Sequence, residues 1–174
     1  MKFDIHDSIE ILQRTPTILE SYLSGLPDTW LKKNEGENTW SPYDIIGHLI
    51  FGEKTDWIPR AKLILSQSEN RMFEPFDRFA QLKEDQNKPI AELLGDFKDL
   101  RVKNLEELKP LHISAKDLEL TGMHPEFGEV TLEQLISTWV VHDLGHIAQI
   151  SRVMAKQYAG NVGPWNAYLG ILKK

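Results

Sequence analysis

This sequence predicts an all-α protein, a four-helix bundle, and three observations carry that expectation. Apolar residues recur in steps of three and four along four separate stretches, the spacing that lines one face of an α-helix. Two of those stretches open on helix start signals, at Ser41 and at Thr131. Nowhere do apolar and polar residues alternate with period two over a length that would build a sheet.

The expected helices cover residues 4–24, 42–66, 89–109 and 131–158. The first is read from Ile5, Ile9, Leu12, Pro16, Leu19 and Leu23. Pro16 should disturb it, because proline has no N–H to give to the carbonyl four residues back. The polar residues 28–40 form a connection, with Asn34, Glu35, Gly36, Glu37 and Asn38 at its tip. The second helix starts where Ser41 serves as N-cap, Pro42 takes the first helical position and Asp44 suits the first turn. A kink or break is expected before Pro59. Residues 69–88 mix Phe73, Phe76 and Phe79 with charges and Pro75, an irregular segment tied down by aromatic rings. The third helix turns Ile90, Leu93, Leu94, Phe97, Leu100, Leu105 and Leu108 inward. Residues 110–130, with Gly122, Pro125 and Gly128, should cover one end of the bundle. Thr131 and Gln134 make a capping box for the fourth helix. The tail after it carries Trp165, Tyr168, Leu169 and Ile171, and so apolar a tail should pack rather than hang free.

Composition narrows the class. The chain has 174 residues, 41% hydrophobic and 26% charged, suited to one domain over 1–174. Its formal charge is 20 − 26 = −6, which disfavours nucleic-acid binding, since that needs a basic surface. No apolar run is long enough for a membrane span. The first ten residues lack the basic flank and apolar core of a signal peptide. Cysteine is absent, which removes disulfides and thiolate ligands and agrees with a cytoplasmic location.

The chemistry concentrates in three histidines. His142 and His146 lie one helical turn apart on the inward stripe Leu135, Trp139, His142, His146, Gln149 and Val153. His48 lies on the inward line of the second helix, with Gly52 one turn further on. Neutral imidazoles bind a divalent transition metal without adding charge to the interior, and three of them leave coordination positions open. The competing reading is three core histidines, each hydrogen-bonded to a carbonyl or carboxylate. His6, His112 and His124 are not expected to be ligands. Asp44 and Asp143 are candidates for orienting the ligand rings, Glu53 and Asp56 for proton transfer. Asp44, Glu53 and Asp143 are carried forward as the candidate catalytic carboxylates. Arg60, Arg78 and Arg101 are candidates for binding a carboxylate, against the plainer reading of solvated helix-end charges. Trp57 and Trp139 suit either a pocket wall or the core; Trp40 and Trp165 are expected in the core or a dimer contact.

These features together resemble the DinB-like (DinB/YfiT) superfamily. The matching pieces are Trp40-Ser41-Pro42 leading to His48-Leu49, Phe76-Asp77-Arg78, Phe97-Lys98-Asp99-Leu100-Arg101 and His142-Asp143-Leu144-Gly145-His146. The resemblance implies a four-helix bundle holding one divalent ion, zinc or nickel, on His48, His142 and His146. It also implies a homodimer and a reaction with a low-molecular-weight thiol. The expected function is therefore a small-thiol-dependent S-transferase joining the thiol to an apolar electrophile. The alternatives are a metal-dependent hydrolase or a non-catalytic, metal-stabilised protein.

Overall fold

A computed structural model describes residues 2–84 and 86–173. Its helices are α1 (Ile5–Leu23), a single turn α2 (Asp28–Leu31), α3 (Pro42–Thr55), α4 (Trp57–Ser66), α5 (Ile90–Leu108) and α6 (Leu132–Lys156). Together α3 and α4 occupy the second expected helix, so the bundle has four long rods: α1, α3–α4, α5 and α6. Both start signals work as expected. Ser41 and Asp44 close a capping box on α3, and Thr131 and Gln134 close one on α6. No helix among the described residues is long and apolar enough to cross a membrane.

The second rod breaks at Asp56, which has φ −107° and ψ −70°. Pro59 causes the break. It has no N–H for the Thr55 carbonyl, and its ring would collide with that carbonyl in a continuous helix. The break matters because it turns Asp56 and Trp57 toward the histidines. Pro16, by contrast, sits inside an unbroken α1. It leaves the Leu12 carbonyl without its helical donor, and Arg101 of α5 supplies one instead, with Nη1 2.8 Å from Leu12 O.

The apolar core forms two clusters. One gathers Leu12, Trp57, Ile64, Phe73, Leu105, Leu135 and Trp139; the other gathers Leu19, Leu23, Ile46, Leu49, Leu94, Phe97 and Ile150. Between them each rod contributes buried polar residues: Thr15, Glu53, Arg101 with Asn104, and Asp143.

Where no real sheet was expected, a short hairpin is present. β1 (Thr121–His124) pairs antiparallel with β2 (Gly128–Thr131). Four residues per strand are too few for a period-two pattern to register, and the signal was instead Pro125 with Gly128, which adopts φ +75°. Phe73 and Arg71 bond to Met123 and fasten the aromatic segment to the hairpin. Gly122 is where the two surfaces meet. A Cβ added there would lie 2.4 Å from Phe73 Cε1 and 2.9 Å from Ile64 Cγ1. Gly122→Ala is expected to destabilise the fold by roughly 1–3 kcal/mol. An unchanged urea midpoint would contradict that packing.

The tail lays its last turn, Gly170–Leu172, against α6, but it does not bury its aromatic rings. It makes short 3-10 turns, and Trp165 is 71% exposed and Tyr168 88% exposed. Trp165 is therefore not a core residue.

Candidate metal centre

Helix α3 presents His48 and helix α6 presents His142 and His146, so the bundle interior receives ligands from two packed rods. His142 approaches both of the others, its Nε2 3.1 Å from Nε2 of His48 and 3.1 Å from Nε2 of His146. One donor atom from each ring falls within 4.8 Å of the others. Three Nε2 atoms thus converge on one point, the arrangement that a single small cation requires.

The protonation states fit a cation at that point. Burial pushes His48 down to about 3, helped by the neighbouring charge of His146 and then Arg78, while the main chain of Arg78 acts the other way. Burial likewise pushes His142 down to about 3, with His146, His48 and Arg101 adding to it. His146 is lowered mainly by burial, opposed by Gln149 and Asp143. All three rings are therefore neutral near pH 7, as metal ligation demands. His146 Nδ1 lies 2.9 Å from Gln149 Oε1. An amide oxygen only accepts, so Nδ1 carries the proton and Nε2 keeps a bare lone pair directed at the cluster. The Nδ1 atoms of His48 and His142 are buried without hydrogen-bond partners. Among the described residues no carboxylate bonds to these rings, and at His48 the nearest main chain is that of Arg78. With the proton on Nδ1 of each ring, as at His146, the Nε2 lone pairs converge and would repel one another unless a cation sat among them.

The cluster opens into a cavity of about 720 Å³. Trp40, Trp57, Phe76 and Phe127 supply aromatic walls, and Asp56, Arg60, Arg78, His124 and Glu126 supply charge or polarity. The Trp40 ring lies 4.7 Å from the His48 ring and 6.2 Å from His146, so it is a cavity wall rather than the core or dimer residue expected. Trp57 stacks on Trp139 at 5.7 Å and meets His142 at 5.2 Å, filling both roles open to it. Gly52 faces the Trp57 ring, where a Cβ would stand 3.4 Å from Nε1, in ordinary van der Waals contact. His124, not expected as a ligand, lines the outer cavity, where its Nδ1 accepts from the main chain of Glu126 and Phe127 and holds the hairpin turn.

Asp56 is a buried carboxylate lining this cavity. Burial raises its pKa to about 6, against the pull of Arg60, whose Nε stands 2.6 Å from Oδ1. Arg60 also donates to the Glu74 carbonyl at 3.2 Å.

The other candidate carboxylates lie elsewhere. Asp44 accepts from Ser41 N at 2.9 Å and Ser41 Oγ at 2.6 Å, and it borders a separate hollow with Gly47 and Gln81. Glu53 is five residues from His48, well round the helix from it. It faces α5 and α6, where it accepts from Arg101 Nη2 at 2.8 Å, Asn104 Nδ2 at 2.9 Å and Trp139 Nε1 at 3.0 Å. Asp143, one position round from His142, accepts from Arg101 Nη1 at 2.6 Å and Nη2 at 3.1 Å. Neither Asp44 nor Asp143 bonds to a ligand ring, so the orienting role expected of them is filled, at His146, by Gln149. Arg101, expected as a surface charge or a carboxylate binder for a ligand, is 1% exposed and spent on this internal network. Its position was a missed signal: it stands one turn from both Phe97 and Leu105 on the inward stripe.

Comparison with known proteins agrees with the four-helix-bundle fold. The family model described as "DinB superfamily" matches residues 11–150. A protein of Oceanobacillus iheyensis named "Putative metal-dependent hydrolase" is 26% identical over 155 residues, covering 88% of this chain and 87% of that one. Among solved structures, YfiT from Bacillus subtilis, described as "a probable metal-dependent hydrolase with an unusual four-helix bundle topology", aligns with TM-score 0.75 at 21% identity. It covers 87% of this chain and 86% of its own. TT2238, described as a four-helix bundle protein, aligns with TM-score 0.51 at 16% identity over 84% of this chain and 97% of its own.

Proposed function

The chain belongs to the DinB superfamily, and on that premise we propose that it is a metal-dependent hydrolase with its ion on His48, His142 and His146. The observation that carries the reading is the convergence of three neutral imidazoles at the wall of an aromatic-lined cavity that also contains Asp56. Zinc or nickel is the proposed ion. Held by these three imidazoles, a divalent ion would supply the Lewis acidity that makes water a nucleophile near neutral pH.

The chain's own residues divide the remaining work. His48, His142 and His146 hold the ion as neutral donors. The ionised Asp56 carboxylate accepts a proton and later returns it to the leaving group. Arg60 fixes that carboxylate through Nε and is itself anchored by the Glu74 carbonyl. Trp40, Trp57 and Phe76 seat the apolar part of a substrate and keep bulk water away. In this reading proton transfer, for which Glu53 and Asp56 were the candidates, falls to Asp56 rather than to Asp44, Glu53 or Asp143, and the last two carboxylates hold the helices in register.

Transfer of an external thiol remains the second reading, because the same aromatic walls suit an apolar electrophile. The relatives' descriptions favour hydrolysis. The proposed assembly is a homodimer, supported by Ile11, Ile18, Val141 and Leu144, apolar side chains of α1 and α6 left in solvent.

The test is hydrolysis of a panel of aryl esters, anilides and phosphoesters by protein reconstituted with zinc, nickel or manganese. Turnover should disappear with a chelator and return with metal. Asp56 must be ionised to act as base, and its folded pKa is raised to about 6, so kcat should climb as pH rises through about 6 and level above it. Asp56→Asn should lower kcat by roughly a hundredfold or more and remove that acid limb. No metal-dependent turnover on any substrate class would sink the proposal, and an acid limb that persists in Asp56→Asn would remove Asp56 from it.

A further inference from the structure

The cavity holds two guanidinium groups, and they are not equivalent. Arg60 is buried and committed to Asp56 and to the Glu74 carbonyl. Arg78 is exposed at the cavity mouth, and among the described residues no carboxylate pairs with it. Its neighbour Asp77 is occupied by Lys83 Nζ at 2.6 Å and by the main-chain N–H of Phe79 at 3.0 Å. Arg78 is nevertheless held in place. Its Cζ sits 5.7 Å from the Trp40 ring and 5.4 Å from the Phe79 ring, and these two rings stand edge to face at 6.2 Å. Stacking on aromatic faces positions a guanidinium while leaving its N–H fork free to bind an oxyanion. The same Trp40 ring lies 4.7 Å from the His48 ring. Arg78 therefore stands one indole away from the histidine cluster, inside one cavity.

We propose that the cavity selects small aromatic or aliphatic substrates carrying a single carboxylate, and that Arg78 is the residue that binds this group. This substrate class rests on the hydrolase reading for its reacting end, whereas the carboxylate contact stands on Arg78 and Trp40 alone. A carboxylate fits better than a phosphate monoester. Asp56 and Glu126 line the same cavity, so a phosphate, which bears close to two charges near neutral pH, meets more like-charge repulsion there than a singly charged carboxylate. The planar fork also matches the two oxygens of a carboxylate. With the carboxylate on Arg78, the body of the substrate lies across Trp40 and Phe76, and its far end reaches the histidines.

Benzoate and benzamide test this, since they share a shape and differ in charge. Calorimetric titration into zinc-loaded protein should give benzoate at least about tenfold tighter binding than benzamide. Arg78→Gln should erase that preference without weakening benzamide. The same pair titrated into chelator-treated protein separates Arg78 from the ion, and an Arg78-dependent preference should survive there. Equal affinities, no binding of either probe, or a preference that persists in Arg78→Gln would each overturn the proposal. Hydrolysis of 4-acetoxybenzoate against phenyl acetate reads the other half. If neither ester turns over while the benzoate preference holds, the hydrolase reading fails and the carboxylate site stands.

Discussion

Replacing His142 by alanine is expected to empty the metal centre. His142 is the ligand whose Nε2 lies 3.1 Å from both others, and its loss leaves only two imidazoles to hold the ion. Altering a group that merely supports a ligand commonly costs 10–100-fold in affinity; loss of the ligand itself should cost at least on the order of a hundredfold. Wild-type protein reconstituted with zinc and dialysed should retain close to one ion per chain, and the variant close to none. The second readout is thermal. An ion bound only by the folded state stabilises it by roughly 4 kcal/mol at a thousand times its Kd, so zinc should raise the wild-type melting temperature and leave that of His142→Ala unmoved. The ring removed faces an open cavity, and apo variant and apo wild type should therefore melt at similar temperatures. Equal metal content in the two dialysed proteins would refute the assignment.

Arg101→Met is expected to be the most destabilising substitution in the chain. The guanidinium is 1% exposed and binds Glu53, Asp143 and the Leu12 carbonyl. Methionine matches the stem and none of the charge. Two carboxylates would then be buried without their cation, and breaking a buried pair in this way costs about 3–5 kcal/mol. At roughly 2–4 °C per kcal/mol for a protein of this size, the melting temperature should fall by about 10 °C or more. Glu53→Gln should fall less. Its amide oxygen can still accept from Arg101 and Trp139, but its NH2 would confront the Asn104 amide that now donates to Oε2. A melting temperature for Arg101→Met within a few degrees of wild type would show that the network contributes little.

What the sequence made legible was whatever depended on local spacing. The four stripes, both capping boxes, the break before Pro59 and the pair His142 and His146 all follow from residues within a turn or two of one another. His48 needed one further step, that two apolar helices containing histidine would pack together. What stayed hidden depended on partners distant in sequence. Glu53, Arg101 and Asp143 look like surface charges when read singly, and only their meeting between three rods makes them interior. The exposure of Trp165 and Tyr168 was hidden for the opposite reason, since an apolar tail does not say which of its side chains face the surface that receives it. Asp56 was visible as an acid on the His48 rod, yet its place in the cavity is set by the break that Pro59 imposes.

The proline in α1 has a consequence for the order in which the chain becomes stable. The Leu12 carbonyl that Pro16 leaves bare is capped by a residue 89 positions later. While the chain is being synthesised, α1 leaves the ribosome with a defect that none of its neighbours can mend. It stays a poor helix on its own through the emergence of α3 and α4. Only when α5 arrives does the carbonyl gain its donor, and only when α6 follows does Asp143 complete the charge balance around the same guanidinium. The first helix made is thus among the last to be secured, and a nascent chain truncated before residue 101 should hold α1 weakly protected from solvent exchange.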